Sequence, residues 1–306
     1  MTMAIEFTGV TKNFGRVLAV DHLNAVAQPG EVTALLGPNG AGKTTTLRML
    51  LGLVASSSGT ATIGGMRYDE LPDPVRQVGA VLEASGCHPG RTALDHLRII
   101  AAAARLPHEA AGRVLAETGL AADSRRRVGE FSLGMRQRLG LAAALLGDPA
   151  VLILDEPTNG LDPPGIRWLR GYVRRLAEEG RTVLLSSHAL SEVEQTADHV
   201  LVLAGGRLVR SSSLAALRAE AGVGSQVRTP DVDRLAAALD AVGHAYRRTD
   251  EGLAVDATPE LVGELAAAHR IVLHSLVGTV NLEQAFFRLI QESDLPDRAA
   301  SAQVRP

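Results

Sequence analysis

One stretch, Gly37-Pro38-Asn39-Gly40-Ala41-Gly42-Lys43-Thr44, limits what this chain can fold into more than any other. It matches G-x-x-x-x-G-K-[ST] at every fixed position. The apolar run Thr33-Ala34-Leu35-Leu36 precedes it, and a helical pattern from Lys43 to Leu51, closed by Gly52, follows. Strand, glycine-rich turn and helix in that order make a cradle for phosphate. The backbone N–H groups turn inward and the helix N-terminus adds a favourable dipole. The expected cradle is Gly37, Pro38, Asn39, Gly40, Ala41 and Gly42, with Lys43 neutralising phosphate oxygens. The Thr44 hydroxyl is positioned to ligate magnesium, and Thr45 follows it on the same helix turn. Arginine serves as the cation almost everywhere else, since Lys12 and Lys43 are the chain's two lysines.

Composition narrows the setting. The 306 residues are 46% apolar and 21% charged, the balance of a folded globular protein. The formal charge of -3 provides no basic field, so no nucleic-acid partner is expected. No apolar run approaches the roughly 20 residues of a membrane-spanning helix. The N-terminus lacks a basic region followed by an apolar one, so secretion is not expected. A single cysteine, Cys87, excludes an intramolecular disulfide and argues against zinc. Aromatics at 3% leave the core to Leu, Val, Ile and Ala. These features describe a cytosolic α/β protein.

Apolar runs at 33–36, 151–154, 182–185 and 199–203 read as strands covered on both faces. The last turns at Gly205-Gly206 into a hairpin with Arg207-Leu208-Val209. Between Thr92 and Leu146 the pattern is helical, with stops at Pro107, Gly119 and Gly147. From about Gly222 a second texture begins. Strand-like 225–228, helical 231–242, a hairpin over 245–255, helical 259–269, a strand at 271–277 and a helix at 281–291 give a βαββαβ order with a last helix. Residues 294–306 read as a frayed tail.

A second nucleotide motif follows the first. Val151-Leu152-Ile153-Leu154 ends in Asp155-Glu156. A carboxylate at the end of a buried strand beside a phosphate loop can hold magnesium, the role expected of Asp155. Successive strand residues point oppositely, so Glu156 is free for another role, polarising a water in line with the γ-phosphate. Phe131-Ser132-Leu133-Gly134-Met135-Arg136-Gln137-Arg138 stands upstream, Gly160-Leu161-Asp162 downstream, and His188 ends the next apolar strand.

With these motifs in order over roughly residues 4–215, the chain closely resembles the ATP-binding subunit of the ABC transporter family. Gly37–Thr44 resembles Walker A, Val151–Glu156 Walker B, Gly160–Asp162 the D-loop and His188 the switch histidine. Lys12-Asn13-Phe14-Gly15 resembles the A-loop, whose aromatic, here Phe14, stacks on adenine. The resemblance implies an α/β, P-loop NTPase core of ABC type over 1–221, with a helical subdomain at about 84–147. A small C-terminal α+β, ferredoxin-like appendage follows over 222–292, and a disordered tail over 293–306. It implies ATP and Mg2+ as ligands, with Lys43, Glu83, Glu156 and His188 catalytic. Ser132 and the N–H groups that follow it, Gly134 included, face the γ-phosphate held by a second copy of the chain, and Asp162 of the D-loop is a further nucleotide-binding residue. The implied assembly is a head-to-tail homodimer on a separate transmembrane permease, peripheral on the cytoplasmic face of the membrane.

Two positions depart from the family pattern. The signature L-S-G-G-Q reads Phe131-Ser132-Leu133-Gly134-Met135, with Leu133 for the first glycine. A Leu133 side chain pointing away from phosphate preserves contact; one pointing inward lowers ATP affinity at the dimer seam. Ser132 also sits where a helix cap belongs. The Q-loop glutamine is replaced by Glu83, whose oxygen serves magnesium equally while adding charge near the phosphates. Thr44–Leu53 and Ser132–Leu139 resemble daunorubicin-type and bacitracin-type export ATPases, which carry a similar C-terminal extension. That branch implies export of an antibiotic-like compound. Two other readings remain: a soluble ATP-driven machine, and an ATP switch without turnover should Leu133 and Glu83 disable hydrolysis.

Overall fold

The computed structural model describes residues 3–82, 86–220, 223–250 and 252–280, together with Leu282 and Phe286. Two compact units divide the chain, the first closing at Ser213 and the second opening at Leu214, upstream of the boundary expected at 221/222.

The first unit begins with β1 (Ile5–Phe14) and β2 (Val17–Ala27), an antiparallel pair. Ile5, Phe7, Val20, Leu23, Ala25 and Ala27 are buried and alternate with exposed or half-buried neighbours. That alternation marks strands with one wet face, and a search for continuous apolar runs passes over it. Next come β3 (Val32–Leu36), α1 (Lys43–Leu50) and β4 (Ser58–Ile63). β4 pairs with β1, giving a three-stranded sheet in the order β2-β1-β4. Then α2 (Pro74–Gln77) leads into β5 (Val78–Val81), followed by three helices, α3 (Ala93–Ala103), α4 (Ala110–Glu117) and α5 (Leu133–Ala144). The chain returns through β6 (Val151–Leu154), α6 (Pro163–Glu178), β7 (Thr182–Ser187), α7 (Leu190–Thr196), β8 (His199–Ala204) and β9 (Arg207–Ser213).

Six strands form the central sheet in the order β5-β6-β7-β3-β8-β9. All neighbours are parallel except β8 and β9, the expected hairpin. Every residue of β3, β6 and β7 is buried, as covered parallel strands require. Leu35, Ile153, Leu184 and Leu201 share one core with Leu47 of α1, each contributing roughly 1.5–3 kcal/mol by leaving water. Parallel direction has a functional consequence. The loops after β3, β6 and β7 leave from the same edge, the carboxyl edge where ligands of such sheets bind.

The helical segment is α3–α5, inserted between β5 and β6. A ladder of rings and charges ties it to α6. The Arg138 guanidinium lies 4.6 Å from the Trp168 ring centre, Trp168 stacks on Tyr172 at 5.4 Å, and the Tyr172 hydroxyl donates to Glu117 at 3.1 Å. Burial and the Glu117 carboxylate push the Tyr172 hydroxyl up to about 12, so it stays a donor.

The second unit contains α8 (Leu214–Glu220), β10 (Val223–Arg228), α9 (Val232–Ala241), β11 (Tyr246–Thr249), β12 (Gly252–Val255), α10 (Pro259–Ala268) and β13 (Ser275–Val280). Its antiparallel sheet runs β11-β12-β10-β13, the arrangement of a ferredoxin-like βαββαβ fold. Val227, Leu235, Leu239, Leu253, Val255 and Val262 form its core. The last strand differs from the expected 271–277. Arg270 takes a left-handed φ of 52° and the Ile271 N–H bonds to Ala266 O at 2.8 Å. Ile271 therefore ends a helix, and the strand begins at Ser275. The helix expected at 281–291 lies outside the described residues apart from Leu282 and Phe286, both helical and buried. The tail at 293–306 lies outside them too.

Candidate functional site

The loop between β3 and α1 is shaped by backbone no side chain would tolerate. Gly42 has φ 98°, and a Cβ there would sit 2.5 Å from Ala19 O. Substitution costs both left-handed strain and a clash with main chain. The next residue, Lys43, is 6% exposed. Its ammonium donates to Gly37 O at 2.8 Å and Pro38 O at 3.2 Å, and lies 3.2 Å from Glu156 Oε1. A buried cation needs this many partners. Thr44 Oγ1 donates to Asp155 Oδ2 at 2.8 Å.

Asp155 and Glu156 leave the end of β6. Asp155 is buried, and its Oδ1 accepts from Ser186 Oγ at 2.5 Å. The same Ser186 oxygen accepts from Glu156 N at 2.8 Å. Glu156 has φ 47°, left-handed in a residue with a Cβ. Such a conformation costs on the order of 1–3 kcal/mol and collects at functional sites. Here it turns the carboxylate toward the phosphate loop. His188 Nδ1 lies 2.7 Å from Glu156 Oε2, so one carboxylate stands between an ammonium and an imidazole.

Ala19, Asn39–Thr45, Glu156, Asn159 and His188 line one open cavity of about 310 Å³; Gly37, Pro38, Asp155 and Ser186 stand behind that lining, Asp155 joined to it through Thr44. Of the expected residues, Phe14 does not line it. Phe14 is half-exposed at the end of β1, opposite Val17, with the Lys12 ammonium 4.8 Å from its ring centre. Ser132, Gly134 and Asp162 do not line it either. Ser132 caps α5 by accepting from Met135 N at 3.2 Å, and Asp162 caps α6 by accepting from Gly165 N at 2.9 Å. Leu133 is 57% exposed and rests on Gly160, where a Cβ would lie 2.1 Å from Leu133 Cδ2. Gly160 has φ 77°. The signature leucine is thus accommodated by a bare glycine in the D-loop of the same chain. Glu83 lies outside the described residues.

Ser186, Asn159, Thr158 and Glu192 belong to this neighbourhood and were not singled out from sequence. Ser186-Ser187 at the end of an apolar strand, just before His188, was the available signal for the first of them. The donor set suits a hard cation. A threonine hydroxyl and a carboxylate oxygen meet at 2.8 Å beside the phosphate loop, and oxygen donors of this kind favour magnesium over thiophilic metals. The left-handed Gly40 and Gly42 give the loop the tight turns that a polyphosphate cradle needs. Among the described residues no helix is long and apolar enough to cross a membrane.

Comparison with known proteins agrees with this geometry. Residues 20–159 match the family model described as ABC transporter, and 225–283 match a domain of unknown function. The bacitracin transport ATP-binding protein BcrA of Bacillus licheniformis is 44% identical over 212 residues, covering 68% of this chain and 69% of that protein. The Nod factor export ATP-binding protein I of Burkholderia lata is 35% identical over 293 residues, covering 93% of this chain and 96% of that protein, so the likeness extends into the second unit. Among solved structures, the ATP-binding subunit of an ABC transporter superposes with a TM-score of 0.64 at 30% identity, covering 71% of this chain and 92% of that one.

Proposed function

The chain belongs to the ABC transporter family as an ATP-binding, ATP-hydrolysing subunit, and from that premise we propose that it drives export of a hydrophobic, antibiotic-like compound. The Nod factor export relative supports the direction, and the bacitracin transport relative the compound class. The proposed assembly is a head-to-tail homodimer docked on a separate transmembrane permease, peripheral at the cytoplasmic face of the membrane.

Within that assembly the roles follow from chemistry. The backbone N–H groups of Asn39, Gly40 and Gly42 and those that open α1 surround the β- and γ-phosphates of ATP, while Gly37 N–H and Ala41 N–H brace the loop on Ser187 O and Pro38 O, and Lys43 neutralises the phosphate charge. Thr44, Asp155 and Glu83 are the proposed magnesium ligands; the ion, when bound, adds further charge neutralisation. Phe14 offers a ring to adenine. Ser132, Gly134 and Asp162 of one copy complete the site of the other. A water attacks the γ-phosphorus, Glu156 takes its proton, and ADP departs with the electron pair of the broken bond. His188 orients Glu156 and holds the γ-phosphate. This chemistry is mostly positioning and electrostatics.

The observation that carries the reading is the placement of Glu156. Its carboxylate stands between Lys43 at 3.2 Å and His188 at 2.7 Å, on a backbone bent out of its preferred region. The test is Glu156→Gln with ATP and magnesium. The expected result is a nucleotide-loaded dimer on gel filtration and turnover lowered by about 10²–10⁴, the usual worth of a general base. A variant that stays monomeric with ATP, or that hydrolyses at the native rate, overturns it.

A further inference from the structure

Behind the Glu156–His188 pair lies a second junction that the roles above do not use. Thr158 Oγ1 donates to Glu192 Oε2 at 2.7 Å, and the Ser187 hydroxyl lies 3.1 Å from the same oxygen, nearer than its other acceptor, Ala189 O at 3.3 Å. Thr158 stands two residues past Glu156, and Ser187 immediately before His188. The contacts close a ring: Glu156, Thr158, Glu192, Ser187, His188 and back through the 2.7 Å contact to Glu156. Thr158, Ser187 and Glu192 do not line the 310 Å³ cavity; they border a separate apolar one of about 20 Å³. Ser187 is 2% exposed and its oxygen also accepts from Ala189 N at 3.0 Å. A carboxylate in the first turn of α7 suits the helix dipole. The dipole does not require hydroxyls from two separate chain segments, the loop after β6 and the end of β7, to converge on one oxygen.

We propose that Glu192 is a positioning residue for ATP hydrolysis: it ties the segment carrying the base to the segment carrying the switch histidine, and so holds Glu156 and His188 in contact. Glu156 sits on a strained backbone and His188 is half-exposed, so neither holds the other firmly. The Glu192 bonds fix both chain segments from the side away from nucleotide. One acceptor oxygen takes both hydroxyls. The required property is therefore acceptor capacity more than charge, and a glutamine carbonyl with two lone pairs can replace it.

The inference rests on the assignment of Glu156 and His188 above, and the experiment separates the two. Steady-state ATPase assays compare native protein with Glu192→Gln, Glu192→Leu, the double variant Thr158→Val/Ser187→Ala, Glu156→Gln and His188→Ala. Expected is a kcat for Glu192→Leu lowered by about tenfold or more, with KM for ATP within about twofold, because a misplaced catalytic group loses rate and leaves binding intact. Glu192→Gln stays within about threefold of native. The double variant matches Glu192→Leu, and combining it with Glu192→Leu lowers kcat no further. Glu192→Leu adds little to His188→Ala, since both act on one contact. Should Glu192→Leu fail to fold, the milder double variant carries the same kcat and KM test. A native kcat in Glu192→Leu or in the double variant overturns the proposal, as does a loss confined to KM. An equal kcat loss in Glu192→Gln also overturns it, because acceptor capacity would not be the operative property. Native turnover in Glu156→Gln and His188→Ala would instead overturn the assignment beneath it.

Discussion

At the phosphate-loop end, charged groups hold one another: Lys43 meets two carbonyls and Glu156, Asp155 takes Thr44 and Ser186, and Glu156 meets His188. At the signature end α5 and α6 begin with simple caps, Ser132 and Asp162, and the start of α5 meets the Gly160–Leu161 loop before α6 through apolar contacts. Leu133 lies on Gly160, and Gly134 faces Leu161. The first end is built to keep buried charge in place, the second to present a surface. Substitutions should therefore be severe and local at the first end, and graded and dependent on association at the second.

The largest expected effect is Lys43→Ala. Removing the ammonium leaves Gly37 O, Pro38 O and Glu156 without their partner and takes away phosphate neutralisation. Loss of a buried, hydrogen-bonded charge partner costs about 3–5 kcal/mol, and turnover should fall below detection in a phosphate-release assay. A Lys43→Ala protein with native turnover would break the contrast at its strongest point. Ser186→Ala comes next. It removes one hydroxyl that serves both Asp155 and the Glu156 N–H, leaving two buried polar groups short of a bond at about 1–3 kcal/mol each. Expected is a lower melting temperature together with a kcat reduced by about tenfold. A stability loss with native kcat would show that Ser186 serves the fold alone.

How much of this was legible in the residues follows from the same contrast. The phosphate loop, Asp155, Glu156 and His188 could be read because each sits at a fixed offset from an apolar strand. The helical insert was visible from its periodicity and stops, and the βαββαβ order of the second unit from its alternating textures. The β1–β2 pair is hard to read because its alternation leaves no continuous apolar run, and in β1 bulges near Val10 and Lys12 break the alternation itself. Ile271 was misread because its burial comes from a helix exit, which an apolar residue alone does not distinguish from a strand. Thr158, Ser187 and Glu192 carry no spacing signal. They meet only because parallel β6 and β7 bring the loop after β6, the end of β7 and the start of α7 to the same edge. The resting place of Leu133 was left open by sequence, since it depends on the absence of a side chain at Gly160.

Smaller effects are expected at the signature end. Gly160→Ala adds a methyl 2.1 Å from Leu133 Cδ2 on a left-handed backbone, so Leu133 must move. Expected is a weaker ATP-dependent dimer by gel filtration, with ATP binding by the isolated subunit unchanged. Leu133→Gly, which restores the family residue and frees that contact, should shift turnover by only about threefold in either direction. If Gly160→Ala abolished nucleotide binding by the monomer, the two ends would not be separable as argued.

The smallest effect separates the ends by acid sensitivity. His96, in α3 of the helical segment, is 8% exposed, with Nε2 against Cys87 Sγ at 3.4 Å and Nδ1 lacking a hydrogen-bond partner. Burial, and secondarily the Arg91 charge, hold its imidazole below the ordinary histidine value. The folded chain thus keeps His96 neutral over a range where the unfolded chain binds a proton. Below about pH 6.5 the unfolded state gains protons that the folded state does not, so stability must fall as pH falls through that value and is fully present above it. Removing the titration with His96→Gln should flatten this slope. Between pH 7.5 and 5.5 the native melting temperature should drop by about 1–2 °C more than that of the variant, a fraction of a kcal/mol in a chain of this size. Equal slopes would mean that acid sensitivity lies elsewhere. A steeper slope in the variant would contradict the direction of the shift itself.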